Sequence, residues 1–484
     1  MFKFENSYAQ QLPEFYSAWK SASVPNPKLI AFNHELADDL GMNISGSENL
    51  AEIFSGNQTL QGAKPIAQVY AGHQFGHFSP QLGDGRALLL GEVVNSDGRR
   101  YDLQLKGSGR TPYSRGGDGK SALGPVLREY IMSEAMHKLG IPTTRALAAV
   151  STGETVMRTE PLPGAVFTRI AASHIRIGTF EFFASQGQQD KVKQLADYTI
   201  KRHYSSLCES QTPYIDLLKA VSDAQASLIA HWMLVGFIHG VMNTDNMTVS
   251  GETIDYGPCA YMDIYSPQTV FSSIDKHGRY AYQNQPVIAQ WNLARLAETL
   301  LPLIDADNAA AVSIATDVLN EFPNLYHRHW LAGMRSKLGL ASDDKDDMEL
   351  MNSLLASLEG QQVDYTQFFR KLIHYLEGNE DVIKLFQDSS DFRQWLLRWR
   401  DRLNQDKFTS EQSVQLMKET NPVYIARNHK VEEALELAVN EQDFSLFEKL
   451  NSVLSDPYVE KEGLHEYRLP APKEFGFYKT FCGT

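Results

Sequence analysis

The sequence predicts an α+β fold in which a strand-rich N-terminal part precedes a larger, mainly helical part. Between residues 86 and 170, several short β-compatible apolar runs surround one amphipathic segment. From about Thr179 the chain changes to longer segments with helical periodicity, and Gly and Pro clusters separate the segments. Strands followed by helices are typical of α+β proteins.

The first predicted element is a β-hairpin. The run RALLLGEVV spans Arg86 to Val94, and YDLQL alternates with period two from Tyr101 to Leu105. The Asn-Ser-Asp-Gly sequence between them is typical of a turn. Lys106 directly follows the second strand.

A glycine-rich loop from Gly107 to Gly119 leads into a predicted helix over about Ala122–Leu139, whose apolar residues recur every four positions. Gly140 is suited to ending this helix. Further strands are predicted over residues 146–151, 156–158 and 165–170.

The remainder of the chain is predicted to be mostly helical to about Leu450. The early helices are expected over Phe180–Ala184, Lys191–Tyr204 and Tyr214–Phe237. We therefore divide the chain into an N-terminal extension, a strand-rich part, a helical part and an irregular tail. The predicted boundaries are 1–65, 66–178, 179–450 and 451–484.

Composition narrows the functional classes. Of the 484 residues 43% are hydrophobic and 21% charged, which is typical of a globular protein. A formal charge of −14 argues against a duplex nucleic-acid partner. We find no apolar run long enough to cross a membrane and no signal or transit peptide. Three cysteines form no disulfide framework, so we expect a cytoplasmic protein.

The stretch HGVMNTDN at residues 239–246, with DYG at residues 255–257, resembles the catalytic centre of protein kinases. Kinases carry H-R-D-x-x-x-x-N and then D-F-G; the first Asp accepts the proton of the acceptor hydroxyl, and the Asn and second Asp hold Mg²⁺. Asn246 and Asp255 fill these two metal-binding positions.

The proton-accepting position is different. Val241 stands where a kinase has its Asp, and a carboxylate recurs four residues later at Asp245. The spacing leaves two alternatives open, an inactive site or different chemistry on the same nucleotide.

Lys106 and Glu129 extend the resemblance to kinases. A kinase strand carries a phosphate-contacting Lys that is oriented by a helix Glu, and Glu129 lies in the predicted helix that follows Lys106. An exposed helix Glu is the alternative reading of Glu129. Together with the metal-binding pair, these residues predict a bilobed, protein-kinase-like fold with a mixed β/α small lobe and a large helical C-terminal lobe.

Two glycine-containing loops are candidates for phosphate binding. The first holds Gly83, Gly85 and Arg86, where free backbone N–H groups and a guanidinium suit an anion. The second, GSGRTPYSRGGDGK, includes Asp118 and Gly119 just before a helix. Plain turns or solvated loops remain the alternatives.

Other charged residues are less informative. Arg169 and Arg176 lie where the two parts join and are candidates for phosphate contacts, although isolated arginines are often on the surface. His73 and His77 lack the Glu of H-E-x-x-H, so we do not expect a metal there.

Two more motifs are expected to be structural. The acidic run at residues 343–347, with Ser342 ahead of it, is typical of a capped helix start. The segment at residues 421–429 suggests helix capping and packing.

Seven runs of sequence resemble the SelO (selenoprotein O) family. They cover residues 70–77, 81–86, 105–113, 127–136, 242–247, 255–258 and 421–429. Members of this family have a kinase-like fold long classed as a pseudokinase. They transfer AMP from ATP to Ser, Thr or Tyr hydroxyls of proteins, with ATP bound in reverse orientation.

The resemblance implies a role for each candidate residue around ATP and Mg²⁺, with Mn²⁺ as an alternative. Gly83, Gly85 and Arg86 are expected to hold the nucleotide. Lys106, Asp118, Gly119, Arg169, Arg176 and Asp255 are expected at the phosphates and their surroundings. Glu129 orients Lys106, Asn246 and Asp255 bind the metal, and Asp245 is the proton acceptor.

Two questions stay open at this point. The same residues suit a γ-phosphotransferase or a non-catalytic nucleotide-binding scaffold. In addition, eukaryotic members end in Cys-x-x-selenocysteine, whereas here Cys482 has no partner at that spacing. A reversible bridge from Cys482 to Cys259 is one hypothesis, and two unpaired thiols are the other.

Overall fold

The computed structural model describes residues 3–42 and 49–481. A nine-stranded antiparallel sheet occupies the N-terminal part, with the order β2-β4-β7-β8-β11-β10-β3, β1 on β7 and β9 on β11. Its strands are β1 (Phe4–Glu5), β2 (Tyr16–Ala18), β3 (Lys28–Phe32), β4 (Ile66–Gln68), β7 (Ala87–Val94), β8 (Arg100–Lys106), β9 (Ser121–Ala122), β10 (Arg145–Met157) and β11 (Pro161–Ala171). Two small hairpins complete the strands, β5 (Gly72–Gln74) with β6 (His77–Ser79) and β12 (Phe237–Ile238) with β13 (Ala260–Tyr261).

Helices dominate the chain after the sheet. The helices up to the end of the sheet are α1 (Ser7–Gln11), α2 (His34–Asp39), α3 (Leu50–Phe54) and α4 (Leu123–Lys138). The later ones are α5 (Ile177–Ser185), α6 (Gln189–His203), α7 (Pro213–Val235), α8 (Gln285–Ile304), α9 (Asn308–Asn320), α10 (Phe322–Lys337), α11 (Asp347–Leu358), α12 (Tyr365–Leu376), α13 (Ser390–Asn404), α14 (Ser410–Thr420), α15 (Asn428–Glu441) and α16 (Ser445–Leu454). The predicted mixed α/β composition is thus confirmed, with the sheet first and most helices afterwards.

The predicted hairpin is confirmed as β7–β8, and the helix after it as α4. The alternation of β8 has a direct consequence for the site. Leu103 and Leu105 point into an apolar cluster with α2 and α3, whereas Gln104 and Lys106 point to the opposite face of the sheet. One strand therefore anchors the fold with one face and presents polar groups with the other.

Two strand predictions are corrected. The run at 146–151 and residues 156–157 of the next run belong to a single strand, β10, which ends one residue before Arg158 and whose pairing with β11 shifts register between Ser151 and Thr155. This irregularity places an exposed Gly153 with φ +74° inside the strand, which from sequence looks like a break. The N-terminal strands β1, β2 and β3 were not predicted because they are short and gain their stability from pairing with the central strands.

The predicted early helices are confirmed as α5, α6 and α7, with one corrected boundary. Helix α7 ends at Val235 rather than Phe237, because Gly236 adopts φ +72° and caps the helix in the left-handed conformation. The chain then turns into β12, which delivers His239 to the predicted catalytic stretch.

Apolar clusters cover both faces of the sheet. The smaller cluster joins α2 and α3 to side chains of β7, β8, β10 and β11, such as Leu90, Leu105 and Val166. The larger one joins the other face, through residues such as Leu88 and Phe167, to α4 and the later helices. The sheet is therefore buried between two apolar layers, which fixes the position of its polar side chains.

The two structural motifs occupy helix ends. The acidic run leads into α11, but Ser342 does not cap it; its side chain bonds Asp406, and Asp347 instead receives Arg335 and Arg402. In the 421–429 segment, the fully buried Arg427 guanidinium contacts Asp263 at 2.5 Å and Asp364 at 2.7 Å. The segment thus ties α15 to α12 and to the loop after β13.

A bilayer-spanning helix is absent from the described ranges, since none of their helices combines sufficient length with sufficient apolarity.

Lys337, at the end of α10, gives a testable pH dependence. It is only 3% exposed, no carboxylate within the described residues pairs with it, and burial lowers its pKa to about 7. Its Nζ lies 3.9 Å from the centre of the Phe369 ring, a contact that favours the charged form by about 2 kcal/mol. This is less than the several kcal/mol that desolvation of an ammonium costs, so burial prevails.

We expect Lys337→Met to change how stability depends on pH. Between about pH 7 and 10.5 the unfolded state binds one proton more than the folded state, so wild type gains roughly 1.4 kcal/mol per pH unit relative to the variant. Urea unfolding of both proteins across this range measures the difference. Lys449→Met, at an exposed position of α16, is the control. A flat difference for Lys337→Met would contradict the assignment of a neutral buried lysine.

Candidate active site

A cleft of about 1960 Å³ opens beside the sheet and is lined by all twelve predicted site residues. They are Gly83, Gly85, Arg86, Lys106, Asp118, Gly119, Glu129, Arg169, Arg176, Asp245, Asn246 and Asp255. The C-terminal segment around Tyr478 forms part of the opposite wall. Tertiary folding therefore brings together residues that are as much as 172 positions apart in the sequence.

Asp255 lies at the centre of this cleft. Its Oδ1 accepts hydrogen bonds from Lys106 Nζ at 2.7 Å and Arg169 Nη1 at 2.9 Å, and its Oδ2 accepts one from Arg176 Nη1 at 2.8 Å. Burial raises the pKa of the Asp255 carboxyl, but these three cations outweigh burial and hold the pKa well below its ordinary value. The carboxylate is therefore ionised at every physiological pH.

The backbone at Asp255 supports this position. Its φ of +63° is uncommon for a residue other than glycine and costs roughly 1–2 kcal/mol. The three ionic contacts to its side chain stabilise that conformation, and strain of this kind is concentrated at functional sites.

Lys106 and Glu129 form the predicted pair. Lys106 Nζ donates to Glu129 Oε2 at 2.7 Å, and Arg169 Nη1 donates to Glu129 Oε1 at 3.1 Å. Glu129 lies in the buried middle of α4 and is 5% exposed, so the alternative of a solvated helix Glu is wrong. Gln104 lies on β8, as Lys106 does, and Arg169 lies on the neighbouring strand β11. Gln104 Oε1 accepts from Arg169 Nη2 at 2.7 Å and orients that guanidinium.

The carboxylate that follows the Val241 position is buried. Asp245 belongs to a short 3₁₀ turn, Thr244–Asn246, and is 7% exposed. Its Oδ2 accepts from Gln74 Nε2 at 3.2 Å, and its backbone carbonyl accepts from Arg176 Nη1 at 2.6 Å. Its Oδ1 has no hydrogen-bond partner within the described chain.

Burial determines the protonation of Asp245. It raises the pKa of the carboxyl to about 6, although Arg176 and the Gln74 amide lower it. An oxygen without a partner on a carboxylate with a raised pKa is suited to receiving a proton near neutral pH.

The first glycine loop is packed too tightly for larger residues. A Cβ at Gly83 would lie 2.6 Å from the Tyr113 ring, and one at Gly85 would lie 2.9 Å from the Tyr113 carbonyl oxygen. Between them, the buried Asp84 accepts from the backbone N–H of Gln68 at 3.0 Å and holds the loop against β4. Arg86, half-buried at the cleft, follows directly.

The second loop is closed by a similar contact. At Gly119, with φ +68°, a Cβ would lie 2.2 Å from the Gly109 carbonyl oxygen, so the position requires glycine. Asp118 accepts from Arg158 Nη1 at 2.8 Å, and this bond lowers the pKa of its carboxyl. Asp118 therefore fixes the loop to β10 and β11 and brings Arg158 to the cleft.

Three contributors to the cleft escaped the sequence analysis, namely Gln74, Asp84 and Arg158. Asp84 was visible only as the middle of a Gly-Asp-Gly turn, and Arg158 only as the end of an apolar run. Gln74 lies in a run quoted for the family resemblance, but nothing in the spacing indicated its partner. Their roles depend on long-range contacts that leave no local pattern.

His73, His77 and Cys259 are not among the twelve predicted site residues, and their surroundings are as follows. His73 Nδ1 lies 2.5 Å from Glu181 Oε1, and His77 is exposed on β6. Cys259 is buried, and burial raises the pKa of its thiol to about 12. Cys482 lies outside the described residues, so the hypothesis of a bridge to it stays a prediction.

The donor chemistry fits Mg²⁺ or Mn²⁺. Asn246 Nδ2 donates to the Val241 carbonyl at 2.9 Å, which leaves its Oδ1 as an acceptor, and Asn246 lines the same cleft as Asp255. The described chain holds no cluster of three or more His, Cys, Asp or Glu side chains suited to a metal. One carboxylate and one amide oxygen match the usual Mg²⁺ arrangement, in which substrate phosphates and water supply the other ligands.

Comparison with known proteins identifies the family of this chain. The family described as protein adenylyltransferase SelO matches residues 1–455. A Rhizobium johnstonii relative named protein nucleotidyltransferase YdiU is 56% identical, covering 100% of this chain and 97% of its own. A Cereibacter sphaeroides relative of the same name is 56% identical and covers 100% of both chains. The resemblance drawn from the seven runs is thereby confirmed: the chain belongs to the SelO family of protein adenylyltransferases.

Proposed function

We propose that this protein transfers AMP from ATP to Ser, Thr or Tyr hydroxyls of protein substrates and releases pyrophosphate. We further propose that it does so on a bilobed, kinase-like scaffold, with ATP bound in the orientation opposite to that in kinases. The sheet with α4 corresponds to the small lobe of that proposal, and the later helices correspond to the large lobe.

One observation carries the proposal. Three cations surround Asp255, and the carboxylate nearest in sequence to the Val241 position is at Asp245, four residues later. Asp245 is buried and lines the cleft, and its Oδ1 has no hydrogen-bond partner among the described residues. A base displaced by four residues suits a nucleotide whose α-phosphate, rather than its γ-phosphate, faces the acceptor.

The proposed reaction uses the residues as follows. The Asp245 carboxylate accepts the proton of the substrate hydroxyl, whose oxygen attacks the α-phosphorus. The P–O bond between the α-phosphorus and the bridging oxygen breaks, and pyrophosphate leaves with the electron pair. Lys106, Arg169 and Arg176 lie beside Asp255 and would neutralise charge on the phosphates.

Asn246 and Asp255 would hold Mg²⁺, or Mn²⁺, against the phosphates. The bound ion would supply additional neutralisation of the charge on the transferred phosphoryl group and on pyrophosphate. Glu129 would keep Lys106 extended towards the cleft through its 2.7 Å contact.

ATP labelled separately on the α- and γ-phosphates tests the function. With Mg²⁺ and a protein acceptor, we expect the α-label on protein and the γ-label in released pyrophosphate. Autoradiography of the denatured protein measures the α-label on protein, and chromatography of the small-molecule products measures the γ-label in pyrophosphate. Transfer of the γ-label would support the phosphotransferase alternative, and transfer of neither label would support the non-catalytic scaffold.

Lys106→Ala should lower the rate of α-label transfer by about 10²–10³-fold, because it removes a charge-assisted donor aimed at the phosphates. Lys138→Ala is the matched control: it removes a Lys–Glu contact of 2.8 Å from the same helix that carries Glu129, on its exposed side. Similar rates for Lys106→Ala and wild type would remove the role assigned to Lys106.

Asp245→Asn should lower the single-turnover rate by about 10²–10⁴-fold, since the amide keeps the shape of the side chain but accepts no proton. ATP binding, measured by calorimetry, should stay close to wild type because the three cations are untouched. Asp223→Asn, which alters an exposed carboxylate beside Arg328, is the control. A variant with full transfer activity would rule out Asp245 as the base.

A further inference from the structure

The run at residues 70–77 forms most of the small hairpin β5–β6 beside Asp245. Its turn consists of Phe75 and Gly76, with φ of +51° and +84°. Positive φ at both central residues is the signature of a type I′ hairpin turn. A bulky Phe in that conformation costs roughly 1–2 kcal/mol, so outside contacts must stabilise the turn.

Those contacts come from the loop that carries Asp245. The N–H of His73 donates to Thr244 Oγ1 at 2.7 Å, and the N–H of Phe75 donates to Asn243 Oδ1 at 3.1 Å. Between them, Gln74 Nε2 donates to Asp245 Oδ2 at 3.2 Å. Three consecutive hairpin residues therefore bind three consecutive residues of the loop.

The hairpin also approaches Asp245 closely at its base. A Cβ at Gly72 would lie 2.4 Å from Asp245 Oδ1, so only glycine leaves room for the carboxylate there. Gly72 therefore packs against Oδ1, which is buried and has no hydrogen-bond partner in the part of the chain that the structure describes, while Oδ2 is bonded to Gln74. Gln74 itself lines the cleft.

We propose that Gln74 is a positioning residue that holds Asp245 Oδ2 and thereby fixes the orientation in which the Asp245 carboxylate meets the hydroxyl of the protein substrate. The inference rests on the proposed function, because it assigns Gln74 a part in proton acceptance by Asp245. The amide acts through Asp245, and among the described residues no hydrogen bond joins it to Asn246 or Asp255.

The remaining contacts of the hairpin make this role separable from folding. The Glu181 carboxylate accepts from Thr244 Oγ1 and contacts His73 Nδ1, both at 2.5 Å, and so joins hairpin and loop without Gln74. The Phe75 ring also lies 5.0 Å from the ring of Tyr280, whose hydroxyl donates to Asn243 Oδ1 at 2.6 Å. A change at Gln74 therefore leaves the hairpin anchored.

Gln74→Met and Gln74→Glu test the proposal in the full-length enzyme with labelled ATP and a protein acceptor. Methionine keeps the length of the side chain but donates no hydrogen bond, so kcat should fall about 10- to 100-fold, the effect of losing a hydrogen bond to an ionised group. Glutamate repels the Asp245 carboxylate, so kcat should fall at least as far. The KM for ATP and the calorimetric affinity for ATP should stay within about two-fold of wild type.

Gln415→Met is the matched control. Gln415 Nε2 donates to Glu419 Oε1 at 2.6 Å on the exposed face of α14, so this variant loses the same kind of bond far from the cleft and should keep wild-type kcat. The melting temperatures of all variants should be close to that of wild type.

The outcomes separate this inference from the proposed function. An unchanged kcat in Gln74→Met overturns the positioning role of Gln74. The proposed function still holds in that case, provided that the wild-type enzyme transfers the α-label. A parallel fall in kcat and ATP affinity also overturns it, because that pattern indicates a collapsed cleft. If wild type transfers no α-label, the proposed function itself fails, and the positioning role fails with it.

Discussion

The carboxylate of Asp255 and the three cations around it are the interaction on which the site depends. Lys106 comes from β8, Arg169 from β11 and Arg176 from the connection to α5, so one side chain joins the sheet to the helical part. Removing one member of such a buried group would leave an uncompensated charge, which is far more costly than the intact group. The geometry of the cleft is therefore fixed by electrostatics as much as by packing.

The strand alternation of the sheet explains how these charges reach one place. On β8, Leu103 and Leu105 fill an apolar cluster, and the intervening Gln104 and Lys106 are thereby directed to the other face. A register slip of one residue would exchange the two sets and destroy both core and site. The register of β8 therefore determines both the stability of the sheet and the position of the groups proposed to contact the phosphates.

A second layer of contacts places the groups at the cleft. The hairpin at residues 72–79 holds the loop of Asp245, Asp84 holds the first glycine loop, and Asp118 holds the second. In each case one polar side chain, Gln74, Asp84 or Asp118, bonds a segment distant in sequence. Glycines lie close by in all three cases, and their missing Cβ permits the close approach. Preorganisation of this kind keeps charged groups oriented without reorganisation during a reaction.

Local patterns predict the β7–β8 hairpin, helix α4, helices α5 to α7 and twelve of the residues that line the cleft, because periodicity, turn chemistry and short motifs are local properties. Long-range contacts, in contrast, make β10 one continuous strand, join the N-terminal strands to the sheet and bury Glu129. They also decide the partners of Gln74, Asp84 and Arg158. These features depend on contacts between residues far apart in the chain, and the energy of such a contact is invisible until folding brings both partners together.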